Sequence, residues 1–173
     1  GPRRGPNNYD IAVRQFRQAG FAERVGKILR DSGFDSRYLE LELTEPTLMT
    51  HTEENIDTLQ RLKALGLRIA IDDFGTGYSS LSYLKRLPVD ILKIDRSFVV
   101  DMTENHDDAA IVGAIVAMAR SLGLHVIAEG VETREQLEFL QGGKCDEIQG
   151  FYFSHPLPAD QFERLINNTG QFS

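Results

Sequence analysis

Short apolar runs alternate with amphipathic ones along nearly the whole chain, and this alternation limits the fold more than any other feature of the sequence. YDIAV (9–13) precedes FAERVGKILRDSG, which stops at Gly33. YLELEL (38–43) alternates strictly and ends in Thr-Glu-Pro. NIDTLQRLKALG (55–66) has apolar residues at 56, 59, 62 and 65, a helical spacing closed by glycine. LRIAID (67–72) and DILKID (90–95) predict strands, with a short helix LSYLKRLP between them that Pro88 stops. AAIVGAIVAMARSLG (109–123) predicts a nearly all-apolar helix, and LHVIAE (124–129) a strand. TREQLEFLQGG opens with the capping-box pattern Thr133-x-x-Gln136; CDEIQG (145–150) is a weaker strand and ADQFERLINN a last helix.

Six strands, each followed by a helix, imply parallel pairing through right-handed crossovers. The strands read as mostly apolar on both faces, as helix-covered sheets require. An open doubly wound sheet and a (β/α)8 barrel compete. Length favours the open sheet, because the barrel takes about 250 residues and this chain has 173. The positions of the polar residues favour the barrel. Parallel α/β folds build their chemistry at the C-terminal strand ends. There the successive strands carry Glu42 and Glu45, Asp72 and Asp73, Lys93 and Asp95, Glu129 and Glu132, and Gln149. An open sheet would spread these along roughly 20–25 Å, at about 4.8 Å per strand, whereas a barrel gathers them at one mouth. The expected fold is α/β, an incomplete (β/α)8 TIM-type barrel with about six of eight strand–helix units.

Charge narrows the chemistry. Nineteen basic against 26 acidic residues leave a net charge of −7, which supplies no basic surface for DNA. A phosphate-bearing ligand remains compatible if the acids bind cations. Adjacent carboxylates such as Asp72-Asp73 repel, and an isolated pair most simply caps a turn. Here Glu42 and Glu129 sit at equivalent positions on neighbouring strands, and all four are hard oxygen donors. That set suits Mg²⁺ or Mn²⁺ rather than zinc, in a two-metal site with ions about 3.5–4 Å apart and Asp72 bridging. Lys93, inside an apolar strand, is either a salt bridge to Asp72 or Asp95, or a point charge orienting a water and stabilising phosphate. Near divalent ions its pKa would have reason to fall. The loop at Gly75, Thr76 and Gly77 permits close backbone approach and could support an anion, with Glu45 holding it. The four histidines share no metal spacing, Cys145 reads as a buried small residue, and the 151–153 aromatic run reads either as core or as a rim surface that could pack on a purine. One cysteine, no signal peptide and no apolar run of membrane-spanning length predict a cytoplasmic protein.

The strings ELTE (42–45), DDFGTGYSSL (72–81), LKIDRSFV (92–99), AEGVET (128–133) and QGFYFSHPLP (149–158), with VRQF at 13–16, resemble the EAL-type cyclic di-GMP phosphodiesterases of bacteria. The resemblance runs over 9–168, with 1–8 expected to be linker and 169–173 a tail. It implies a barrel that hydrolyses cyclic di-GMP to linear pGpG with Mg²⁺ or Mn²⁺. Carried over by position, Glu42, Asp72, Asp73 and Glu129 become metal ligands, and Lys93 orients the water. Lys93, Glu129 and Asp72 are then the catalytic set. Gln149 becomes a second polar group at the site, Glu45 the support of the Gly75-Thr76-Gly77 loop, and Glu132 a further rim acid. Two departures stand out. The Glu-Ala-Leu glutamate and the first two strand–helix units are absent, and Asp10 stands where the family has Asn in Asn-x-Ser, which makes it an additional candidate ligand. The expectation is therefore a family member with impaired activity; the alternatives are a cyclic di-GMP binding or sensor module, or a dimerising remnant. Six strands cannot close an eight-stranded barrel, and bare edges near Ile11 and Ile148 predict self-association.

Overall fold

A computed structural model describes residues 7–10, 13–50, 52–76, 81–155, 157–158 and 161. Six parallel strands form one sheet: β1 (Asn7–Asp10), β2 (Leu39–Thr44), β3 (Arg68–Phe74), β4 (Ile91–Ile94), β5 (His125–Glu129) and β6 (Glu147–Gln149). Their spatial order is their sequence order. A doubly wound sheet reverses direction at a switch point, whereas a barrel wall advances one strand at a time. The sheet is therefore an arc of barrel wall, and β1 and β6 do not pair with each other among the described residues.

The helices are α1 (Val13–Phe16), α2 (Phe21–Ser32), α3 (Glu45–Met49), α4 (Thr52–Ala64), α5 (Leu81–Leu84), α6 (Arg96–Asp101), α7 (His106–Ser121) and α8 (Arg134–Gly142). Gly33, with φ 65°, terminates α2 in the left-handed region that only glycine enters cheaply. At the start of α8 the Thr133 hydroxyl accepts from the Gln136 amide, while the Gln136 side chain accepts from the Thr133 amide. The short helices α3 and α6 lie where the sequence reads as plain strand-to-loop transitions. Each begins at a turn residue directly after a strand, with too few residues to display a period. β1 starts at Asn7, inside the segment read as linker. The helix expected over 159–168 lies outside the described residues apart from Gln161.

The expectation of strands apolar on both faces needs correction. Alternation places Leu41, Leu43, Ile69, Ile71, Leu92, Ile94 and Val126 against the helices, where they are buried with Leu59, Leu62, Val112, Val116 and Leu140. Each such side chain contributes about 1.5–3 kcal/mol on burial. The opposite face is mixed. It carries Glu40, Glu42 and Thr44 on β2, Arg68 and Asp72 on β3, Lys93 on β4, and His125 and Glu129 on β5. Only Ala70, Ile91 and Ile127 are apolar there, and they form a small cluster separate from the main core. The face that would line a barrel is thus polar at both ends.

Candidate functional site

Three carboxylates converge on one ammonium at the C-terminal ends of the strands. Lys93 Nζ lies 3.0 Å from Glu42 Oε2, 3.4 Å from Asp72 Oδ1 and 2.6 Å from Glu129 Oε1. The lysine side chain is 6% exposed and that of Glu42 7%, so both charges have left bulk water. Burial pulls the Lys93 pKa down, but hydrogen bonds from its ammonium to Glu129 and Glu42 outweigh it and hold the group above the ordinary lysine range. With only the protein's own carboxylates around it, the lysine moves opposite to the direction expected beside divalent ions.

Asp72 and Asp73 are adjacent in sequence but separate in role. The β3–β4 register shifts between Ile71 and Phe74, and Asp73 adopts a left-handed φ of 52°. Asp72 stays on the inner face beside Lys93. Its Oδ1 is buried and accepts no hydrogen bond. Asp73 turns to Asp95: burial, then the Asp72 charge and then the Asp95 contact push its carboxyl up to about 6. Asp95 resists burial by accepting from the Ser97 amide and hydroxyl, and its pKa falls below the usual range.

The loop after the aspartates is braced from two sides. Glu45, fully buried at the start of α3, accepts from the Gly75 amide at 2.9 Å. Gly75 itself has φ 106°, and a Cβ there would sit 2.8 Å from the Phe98 ring. The Thr76 hydroxyl donates to the Asp73 carbonyl at 2.9 Å. Gly77 lies outside the described residues.

Glu132 does not reach Lys93. It pairs with Arg96 at 2.6 Å, and the Arg96 stem lies so close over Gly130 that a Cβ there would meet it at 2.2 Å. Gln149 stands opposite Glu129 in the β5–β6 register, and its carbonyl accepts from the Val131 amide. Asp10 stands opposite Glu42 in the β1–β2 register. Sequence reasoning missed Arg96, Asp95 as the partner of Asp73, and the buried Glu40. Only Glu40 left a signal, since the alternation in LELEL puts it on the same face as Glu42.

The donor set has the chemistry of a hard divalent cation: all-oxygen and dominated by carboxylates, with a buried Asp72 oxygen that accepts no hydrogen bond and an aspartate driven up by burial and neighbouring charge. Among the described residues, however, no three Asp, Glu, His or Cys side chains form a group arranged to hold a metal ion. The three that come together share Lys93 instead.

Known proteins share this framework. The EAL domain family model matches residues 4–156, and the chain belongs to that family. Two relatives come from Pseudomonas aeruginosa. The cyclic di-GMP phosphodiesterase NbdA is 48% identical over 149 residues, which are 86% of this chain and 19% of NbdA. The bifunctional diguanylate cyclase/cyclic di-GMP phosphodiesterase MucR is 47% identical over 161 residues, 91% of this chain and 24% of MucR. The chain thus spans about a fifth of the length of these relatives. Among solved structures, the PaMucR phosphodiesterase in its c-di-GMP complex superposes with a TM-score of 0.86 at 46% identity, over 91% of this chain and 64% of that one. The EAL domain of Mycobacterium smegmatis DcpA gives 0.83 at 41% identity, over 92% and 72%. These neighbours bear out the α/β fold and the incomplete barrel expected from the strand ends. No helix among the described residues is long and apolar enough to cross a membrane.

Proposed function

We propose that the chain carries the active site of a cyclic di-GMP phosphodiesterase that cleaves one phosphodiester to give linear pGpG. The observation that supports this most directly is the convergence of Glu42, Asp72 and Glu129 on Lys93 at one strand-end mouth. Divalent Mg²⁺ or Mn²⁺ held by Glu42, Asp72, Asp73 and Glu129, with Asp10 as an added ligand, would lower the pKa of water and neutralise phosphate charge. The protein's own groups do the rest. Lys93, held as an ammonium by its bonds to Glu129 and Glu42, donates to the attacking water and to the phosphate oxygens. The carboxylates of Glu129 and Asp72 can take the proton that water loses. The water oxygen bonds to phosphorus as the phosphorus–ribose oxygen bond opposite it breaks, and the proton taken from water is passed on to the departing oxygen, which ends as a hydroxyl. Glu45 keeps Gly75 and Thr76 in place, and Glu132 and Gln149 complete the rim.

A second reading, a cyclic di-GMP binding module without turnover, draws on Asp10 and on the open arc of strands. Self-association accords with the same arc and with an apolar groove of about 540 Å³ between α2 and β2, lined by Phe21, Val25, Ile28 and Leu41. The lone cysteine supports a cytoplasmic placement. The deciding experiment is a time course of cyclic di-GMP with Mn²⁺, products separated by chromatography, beside Asp72→Asn. Product that forms with the wild type and not with the variant is expected. Nucleotide retained but uncut would favour the binding module, and nucleotide neither held nor cut would overturn both.

A further inference from the structure

We propose that Lys93 is the resident counter-ion of this site and competes with the divalent cation for the same carboxylates, so that cation loading releases its ammonium toward the anionic ligand. The inference rests on reading Glu42, Asp72 and Glu129 as cation ligands. It adds a role that a water-orienting lysine does not imply.

The geometry leads there directly. Each of the three carboxylates that would supply the first oxygens to a divalent ion lies within 3.4 Å of Lys93 Nζ. Mg²⁺ takes oxygens at about 2.0–2.1 Å in near-octahedral order, a tighter arrangement than the 2.6–3.4 Å shell drawn around this ammonium. A divalent ion bound to two of these side chains would repel the ammonium they now hold, at low effective dielectric beside a lysine 6% exposed. One occupant has to yield. The lysine can do so without backbone movement, because its ammonium sits on a flexible four-carbon stem.

The charge count points the same way. Three carboxylates and one ammonium leave two negative charges inside a site where the lysine is 6% exposed. The buried Asp72 Oδ1 accepts no hydrogen bond and, among the described residues, has only the Lys93 ammonium, at 3.4 Å, in ion-pair reach. A divalent ion would neutralise the excess, and the displaced ammonium would then face the mouth, positioned to donate to a phosphate. Cation and anion binding are coupled through one side chain.

The test uses cations alone, so it stands apart from the nucleotide chemistry. Mn²⁺ is titrated calorimetrically into wild type and Lys93→Met, with Lys93→Gln as a second neutral variant, each checked for folding by circular dichroism. At least ten-fold tighter Mn²⁺ binding in the neutral variants is expected. Equal or weaker binding in a folded variant, or binding in neither protein, overturns the proposal. Should both variants fail to fold, the wild type labelled with ¹⁵N-lysine decides. The slowly exchanging Lys93 ammonium signal is expected to shift or broaden as Mg²⁺ is added, and a signal unmoved by Mg²⁺ overturns the proposal. Wild type that cuts no cyclic di-GMP while the Mn²⁺ comparison holds would remove the enzymatic reading and leave this one standing.

Discussion

The two ends of the sheet handle charge in opposite ways. At the N-terminal ends of the strands, acids and bases are matched nearly one to one. Lys63 meets Asp90 at 2.5 Å, Arg68 lies 3.9 Å from the buried Glu40, and His125 lies 2.9 Å from Glu147. Most of these groups are partly exposed; Lys63–Asp90 ties the approach to β4 to α4, with Asp90 also accepting the Ile69 amide, and the other two pairs tie neighbouring strands. At the C-terminal ends one buried lysine answers three carboxylates, of which Glu42 is buried and Asp72 and Glu129 are partly so. Ala70, Ile91 and Ile127 lie between the two sets. Balanced pairs in water contact are what stability alone would select. A buried surplus of negative charge costs stability and is kept where it serves chemistry.

The largest expected effect separates the two lysines. Lys93→Met leaves three converging carboxylates without their cation and should destabilise the chain by about 3–5 kcal/mol in urea melts without added metal. Lys63→Met removes a pair in which both side chains are about one-third exposed and should cost about 1 kcal/mol or less. Saturating Mn²⁺ should recover most of the first loss and none of the second. Equal costs at the two lysines would break the comparison.

Backbone contacts sharpen it at the next level. Gly150 follows β6 and packs so closely on the loop after Glu129 that a Cβ would fall 2.0 Å from the Val131 carbonyl oxygen. Because the obstacle is backbone, Gly150→Ala must part the two loops; about 1–3 kcal/mol is expected, together with weaker Mn²⁺ binding. Gly33, far from the site, has φ 65° and nothing within 4 Å of a Cβ. Gly33→Ala should cost about 1 kcal/mol of conformational strain and leave Mn²⁺ affinity untouched. Paired melts and titrations of the two variants check both statements.

Local signals in the sequence carried the outer layer of this fold. The glycine stop at Gly33 and the capping box at Thr133 and Gln136 depend on a few adjacent residues, and the helices begin or end at them. The rim acids were legible because a strand end can be located from its apolar run. What could not be read depends on register. Glu42, Asp72 and Glu129 could be grouped at one mouth, but that all three meet Lys93, and that Asp95 does not, follows from the strand alignment. The slip between Ile71 and Phe74 that splits the aspartate pair has no one-residue signature. Arg96 meets Glu132 across 36 residues, and nothing in either string announces the other. The inner face was misread for a related reason, since Lys93 and Asp72 each interrupt an otherwise apolar run.

The smallest effect belongs to the quieter end and is a matter of pH. Cys145, before β6, places its sulfur 3.5 Å from the Val126 carbonyl and 3.3 Å from that of Glu147. Burial is the main reason its thiol is pushed up to about 11 from the ordinary 9.0. The native state therefore holds its proton at pH values where the unfolded chain has released it. That raised pKa contributes stability which is complete below about pH 9 and is lost as the pH climbs through 11. At pH 10 the loss should be about 1.4 kcal/mol relative to neutral pH. Cys145→Ala has no such proton to release, so the stability gap between it and the wild type should shift in the variant's favour by that amount between pH 8 and pH 10. Urea melts at the two pH values measure the shift. A gap that stays constant would mean that the sulfur is open to water, and that the N-terminal end of the sheet is looser than its matched ion pairs imply.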